Sequence, residues 1–339
     1  MNTGESAGFG LGTFSAPGSP SFAGLVLDDR VAKLEALAPR MPGFPRGAIS
    51  VLSLLEDWDR NLAALRRAAD SLREKQDKAG PDEAFVPLSQ LQSHPPVSLP
   101  RQVFCAGANY RKHVIDLMVD QQMDRTKDLS LEERRIQATK FMDERAAHGA
   151  PFIFSKAPSA ITGPYDPVIL PRHARQPDWE LELAVIIGKP ARHVRRDNAL
   201  DYVAGYTIVN DITNRDLIFR KDAGQLGADW ISAKSCPTYL PMGPYLVPAA
   251  FVADPQSLQI TLRLNGKVMQ DESTADMIFP VARIIEFLSD SVQLWPGDLI
   301  ATGSPSGNGT HYNRFLKAGD IMEGTITGLG TQRNECIDE

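Results

Sequence analysis

Cysteine is scarce in this chain: three in 339 residues, Cys105, Cys236 and Cys336, far apart and odd in number. Neither a disulfide framework nor a cysteine zinc site is indicated, and a reducing, cytoplasmic compartment is expected. No apolar run reaches the roughly 20 residues that span a bilayer, so no membrane partner is expected. Basic residues are not in excess, with 36 Lys and Arg against 42 Asp and Glu and a formal net charge of −6, which gives no support for nucleic-acid binding. The glycine-rich stretch Gly303-Ser304-Pro305-Ser306-Gly307-Asn308-Gly309 lacks the Lys-Ser/Thr of a nucleotide phosphate loop. Residues Met1 to Pro20 are rich in Gly, Ser and Pro with no basic region and apolar stretch, so a secretory signal is not expected. There is no internal repeat. What remains is a globular chain long enough for one large core and a smaller accessory domain.

The pattern along the chain divides it into residues 1–100, a small N-terminal α/β domain and linker, and residues 101–339, a catalytic domain. In the first part, Phe22 to Leu27 and Val31 to Leu34 suggest a strand pair about Asp28-Asp29. Ser53 and Glu56 suggest a capping box, and Leu55, Trp58, Leu62, Leu65, Ala69 and Leu72 recur at helical spacing up to Gly80-Pro81. Pro-rich Ser93 to Pro100 reads as the linker. In the second part, short strand-like runs alternate with Gly and Pro turns: 168–170, 181–187, 206–210, 245–247, 258–264, 299–302 and 324–326. Only Val281 to Leu288 reads there as a clear helix. The fold class is therefore α+β, mostly β, with a mixed sheet.

Chemistry concentrates in a few positions. Leu181, Leu183, Ala184, Val185, Ile186 and Ile187 form a buried strand, and period-two alternation puts Glu180 and Glu182 on one side of it. Two adjacent buried carboxylates repel unless a cation or a shared proton compensates them. Asp211, at the end of Tyr206 to Asn210, is a third oxygen donor. An oxygen-only set favours a hard cation, Mg²⁺ or Mn²⁺, with Ca²⁺ also compatible, over zinc. The strand alone leaves open a second reading, in which the pair lines a solvated face and meets surface Arg or Lys. His113, in Asn109-Tyr110-Arg111-Lys112-His113, is a candidate base because an imidazole accepts a proton near neutral pH.

Further blocks follow in order: Thr213-Asn214-Arg215-Asp216, Lys234-Ser235-Cys236-Pro237-Thr238, Met242-Gly243-Pro244, Asn265-Gly266, Gln270, Ser273-Thr274 with Met277-Ile278-Phe279, and Pro296-Gly297-Asp298 through Gly303-Ser304-Pro305. Together with His113 and the carboxylates, this series resembles the fumarylacetoacetate hydrolase family over roughly residues 103 to 334. The resemblance implies a mixed β-roll in the C-terminal domain, a homodimer, and a divalent metal held by Glu180, Glu182 and Asp211. It implies that His113 is the catalytic base, that Asp116 takes the place of the acidic residue that orients it, and that Lys234 lies beside the metal with Thr238. Tyr110, Lys156, Arg215 and Ser304 are expected to contact the substrate. Ile218 stands where relatives often carry glutamine, which suggests a less polar pocket.

The expected reaction is hydrolysis of a carbon–carbon bond in a 2,4-dioxo acid, a small-molecule substrate. Decarboxylation, hydration or isomerisation of a 2-oxo acid is the alternative, and a metal-binding homologue without turnover a third. Residues 114–149 are longer and more charged than in compact relatives. With a capping box at Ser130 and Glu133 and a stop near Gly149, they predict a helical lid whose apolar underside is Met118, Met123, Phe141 and Met142. A solvated helical pair at the oligomer interface is the other possibility.

Overall fold

The computed structural model describes residues 8–339 apart from 41–43, 45–46, 80–84, 121–128 and 223. It is an α+β fold in which helix and strand have comparable shares, so helix is more prominent than the expected mostly-β balance. The long helices within Trp58–Ala79 and Leu131–His148 were expected from the sequence, whereas the single-turn helices around the site, Arg215–Ile218, Trp230–Lys234 and Gly309–Tyr312, were not.

At the centre lies the strand Leu181–Ile187, buried at all seven positions. It pairs antiparallel with Val203–Asn210 on one side and with Leu299–Ala301 on the other. A strand covered on both faces reads as a continuous apolar run, which is why the alternation of Glu180 and Glu182 stops where the strand enters the core. Leu299–Ala301 in turn pairs parallel with Val103–Gly107. These polarities fix the site: Leu181–Ile187 begins at the end of the sheet where Val203–Asn210, Leu299–Ala301 and Val103–Gly107 all finish. Residues that precede the first strand or follow the other three therefore converge.

A second, five-stranded sheet contains Lys267–Ser273, Gln259–Leu264, Ile321–Ile326, Gly330–Asp338 and Val168–Leu170. The first and fourth of these were not expected from the sequence. Gln332 ties the two sheets, its amide nitrogen donating to the Ile208, Pro241 and Gly243 carbonyls.

In the N-terminal part, Phe22–Leu27 and Arg30–Lys33 form the expected hairpin, turned at Asp28 with φ +54°. Gly10–Ser15 meets Leu240–Pro248 at Leu11 and Leu246, so the N-terminal hairpins continue the main sheet. The capping box lies three residues earlier than expected. Ser50 accepts from the Ser53 amide and the Ser53 hydroxyl accepts from the Ser50 amide, a role in which serine replaces the usual glutamate. The expected single helix is two, Val51–Leu55 and Trp58–Ala79. The Gly80-Pro81 stop lies outside the described residues.

The segment expected to form a lid is helical over Arg111–Asp120 and Leu131–His148, with the Ser130–Glu133 box formed and the Gly149 amide donating to the Arg145 carbonyl. Residues 121–128, including Met123, lie outside the described residues. Met142 and Ala138 are buried, whereas Phe141 is 53% exposed and does not belong to the underside; 141 and 142 are 100° apart on a helix, so only one of them faces inward.

Candidate metal and acid/base site

The convergence of strand ends brings the predicted carboxylates together. Glu180, Glu182 and Asp211 are all buried and offer oxygens within 4.8 Å of one another. Their surroundings are unequal. Glu180 Oε1 accepts from Arg215 Nη2 at 2.6 Å and Glu180 Oε2 from Lys234 Nζ at 2.5 Å. Asp211 Oδ2 accepts from Lys234 at 2.5 Å and Oδ1 from Lys156 at 2.6 Å. Among the described residues, Glu182 accepts only the Gly303 amide, at 2.7 Å, and no ion pair reaches it. Burial, with Asp211 and Glu180 adding negative charge, pushes its carboxyl well above the usual range. Glu180 is buried as well, yet Arg215 and Lys234 hold it well below that range.

Three buried carboxylates, one of them without a cation of its own, form an oxygen-only donor set that a divalent ion fits. The solvated-face reading is excluded by burial of the carboxylates, and of the cations that pair with them Lys156 and Lys234 are interior and Arg215 is half-buried. Glycine is required at 303. Its φ is +101°, and a Cβ there would lie 2.8 Å from Asn109 Cβ and 2.9 Å from the Ala106 carbonyl oxygen.

Lys234 and Lys156 are both interior. The three ammonium hydrogens of Lys234 are taken up by Glu180, Asp211 and Thr213. Lys156 was expected at the substrate, but its side chain is wholly buried and donates to Asp211, Ile212 O and Tyr239 O, which leaves no donor over. It underlies Asp211. Thr238 is also turned elsewhere, its hydroxyl accepting from the Ile169 amide.

His113 lies in the first turn of Arg111–Asp120 and is buried. Burial depresses its pKa to about 4, with Glu180 and Asp116 opposing and Arg215 assisting, so the ring is a neutral proton acceptor at neutral pH. Its Nε2 is 3.5 Å from Asn308 Nδ2. Asp116, one turn on, accepts from Ser306 at 3.1 Å and from Arg135 at 3.3 Å, and makes no hydrogen bond to His113. Tyr110 is fully buried, its hydroxyl has no partner in hydrogen-bond geometry among the described residues, and burial and Glu182 raise its pKa. Ser304 accepts from Gln270 Nε2 at 2.9 Å.

Two residues beyond the expected set complete the site. Asp178, fully buried, accepts from Arg215 Nε at 2.8 Å and from the Gly309 and Thr310 amides. Asn109 locks the loop before His113, donating to Phe279 O and Thr302 O and accepting from the Phe279 amide. Asp178 was available to sequence reasoning, since it extends the Glu180, Glu182 alternation by one more step.

A buried carboxylate triad at converging strand ends, with a buried imidazole nearby, makes a site suited to a divalent metal. Comparison with known proteins gives the family. Residues 102–337 match the family described as fumarylacetoacetate (FAA) hydrolase C-terminal, and the chain belongs to it. The mitochondrial oxaloacetate tautomerase FAHD2A of Bos taurus is 34% identical over 309 residues, 91% of this chain and 84% of that protein. A 2,4-didehydro-3-deoxy-L-rhamnonate hydrolase of Sphingomonas sp. (strain SKA58) is 45% identical over 191 residues, 56% of this chain and 65% of that one. Among solved structures, maleylpyruvate hydrolase from Sphingobium sp. SYK-6, in complex with manganese(II) ion and pyruvate, aligns with a TM-score of 0.67 at 27% identity, covering 97% of this chain and 99% of that one. Among the described residues, no helix is long and apolar enough to cross a membrane.

Proposed function

We propose that the protein is a divalent-metal-dependent hydrolase that cleaves a carbon–carbon bond in a 2,4-dioxo acid. The observation that carries this is a buried imidazole kept neutral within electrostatic range of an oxygen-only carboxylate triad. The 2,4-didehydro-3-deoxy-L-rhamnonate in the name of the Sphingomonas hydrolase and the manganese and pyruvate named for the Sphingobium structure support it. Glu180, Glu182 and Asp211 would hold Mg²⁺ or Mn²⁺, which when bound would polarise the 2-oxo acid oxygens and orient them.

His113 accepts a proton from water, and the water oxygen adds to the 4-carbonyl. Lys234, its three hydrogens held by Glu180, Asp211 and Thr213, acts on the oxyanion that forms there through its charge and not as a hydrogen-bond donor. The bond between C3 and C4 then breaks, its electron pair passes to C3, and the proton held on the imidazole follows. A carboxylic acid and a shorter 2-oxo acid leave. Lys156 positions Asp211 and Asp178 positions Arg215, both without touching the substrate.

A second reading, keto–enol tautomerisation of a 2-oxo acid, is favoured by one observation. Asp116 is engaged by Ser306 and Arg135 instead of orienting His113 for water, and the FAHD2A relative is named a tautomerase. Mass spectrometry of products from acylpyruvates with Mn²⁺, together with the ultraviolet absorbance of the oxaloacetate enol, separates the two. Two acid fragments, lost on adding EDTA, are expected. Enol–keto equilibration without cleavage would replace hydrolysis by tautomerisation.

A further inference from the structure

We propose that the cleft beside the carboxylate triad selects an uncharged, hydroxyl-bearing substrate tail through Asn308 and rejects a tail ending in a second carboxylate, an inference that takes its head-group chemistry from the hydrolase reading above. The cleft has a volume of about 390 Å³, near the lower end for small-molecule sites, and so suits a short tail. Leu117, Ile218, Phe219 and Phe315 give it an apolar side, while Asn308, Thr310 and Asn313 contribute neutral polar groups.

Charge decides against a dicarboxylate. Of the described residues that line the cleft, Arg215 alone carries a formal charge, and its Nε and Nη2 are already held by Asp178 and Glu180. One guanidinium with two carboxylates is locally net negative. A second substrate carboxylate would lose hydration there and meet only a guanidinium whose charge two carboxylates already oppose.

Asn308 decides for a hydroxyl. It is fully buried, its amide nitrogen faces His113 Nε2, and its Oδ1 has no hydrogen-bond partner among the described residues. It precedes the short helix Gly309–Tyr312 without capping it, so local structure gives that oxygen no task. A buried acceptor without a partner is costly and is satisfied by a donor from the ligand, whereas a carboxylate, an acceptor only, repels it. The Thr310 hydroxyl already donates to Asp178, which leaves it too as an acceptor.

The test is calorimetric binding of three 2-oxo acids of equal chain length to the full-length protein with Mn²⁺: 2-oxohexanoate, 5-hydroxy-2-oxohexanoate and 2-oxohexanedioate. None has a 4-oxo group, so none is cleaved. The hydroxylated acid is expected to bind about tenfold more tightly than the alkyl acid, the worth of one good neutral hydrogen bond, and the dicarboxylate most weakly. In Asn308→Ala the hydroxyl-to-alkyl ratio should fall to near one; because it is a ratio, any effect on His113 common to both ligands cancels. Ile218→Lys adds a cation and should bring the dicarboxylate tighter by about tenfold. Tightest binding of the dicarboxylate to the unaltered protein, equal binding of all three, or a hydroxyl advantage that survives Asn308→Ala would each overturn the proposal. Cleavage of the 4-oxo counterparts is measured in parallel. Failure there removes the hydrolase reading, while the order of binding still decides the selection of the tail.

Discussion

Replacing Lys156 by Met removes an ammonium group from the interior and keeps most of the side chain's length and apolar volume. The wild-type side chain is fully buried and donates to Asp211 Oδ1 at 2.6 Å, Tyr239 O at 2.6 Å and Ile212 O at 3.2 Å. Removing one partner of a buried ion pair costs about 3–5 kcal/mol, and each carbonyl left without a donor about 1–3 kcal/mol. Two effects reduce the sum. Burial already lowers the Lys156 pKa, so the cost of burying its charge disappears with it, and Asp211 keeps Lys234 on its other oxygen. A net loss of about 3 kcal/mol is expected, a large part of a typical ~5–15 kcal/mol stability.

Urea unfolding of both proteins in EDTA measures it, provided the m-value is unchanged. Mn²⁺ at about 1,000 times its Kd should then add about 4 kcal/mol to the wild type and no less to Lys156→Met, whose Asp211 has lost a competing cation. Unfolding of Lys156→Met within about 0.5 kcal/mol of wild type in EDTA would refute the clamp, the smallest difference that such curves resolve against extrapolation error. A raised KM without loss of stability would instead return Lys156 to the substrate.

Three further outcomes are expected. Glu182→Ala should abolish Mn²⁺ binding in calorimetry together with turnover, whereas His113→Ala should retain the ion and lose hydrolysis; wild-type hydrolysis by the His113 variant would remove it as the base. The depressed His113 pKa means that the unfolded state binds the extra proton first, so its stabilising contribution is intact above about pH 6.5 and is lost as pH falls to about 4, roughly 3 kcal/mol in all. Glu182, raised, has the opposite sign, so unfolding in EDTA compared with His113→Gln isolates the histidine, and identical pH profiles would contradict the assignment. Gly303→Ala should cost more than about 2 kcal/mol and weaken Mn²⁺ binding, since it strains a φ of +101° and withdraws the amide from Glu182; full binding at wild-type stability would show that the turn has another conformation.

The parts of this molecule that were legible in its sequence are those written by local periodicity. Glu180 and Glu182 stand out because alternation is a property of one strand, and the Ser130–Glu133 cap because it spans four residues. The helix over Val281–Ser291 shows itself in the same way, by apolar residues at 281, 284, 285 and 288. What the sequence conceals is which distant group answers each of these. Gly303 reaches Glu182 across 121 positions and Asn308 reaches His113 across 195, and no pattern within either segment records the other.

The same limit explains Asp116. Three residues after His113 it lies on the adjacent turn of the helix, so local geometry allows a dyad; Ser306 and Arg135, brought in from elsewhere in the fold, are the groups that take its oxygens. It explains Lys156 and Lys234 too. A lysine in sequence reads as a surface or substrate cation, and only the convergence of strand ends shows that these two are interior counter-charges to a carboxylate cluster. The site is thus a balance of buried charge in which, among the described residues, Glu182 alone of the three carboxylates lacks a cationic partner. That imbalance is the physical argument for a divalent cation, and it comes from the fold, because each of these groups considered by itself is unremarkable.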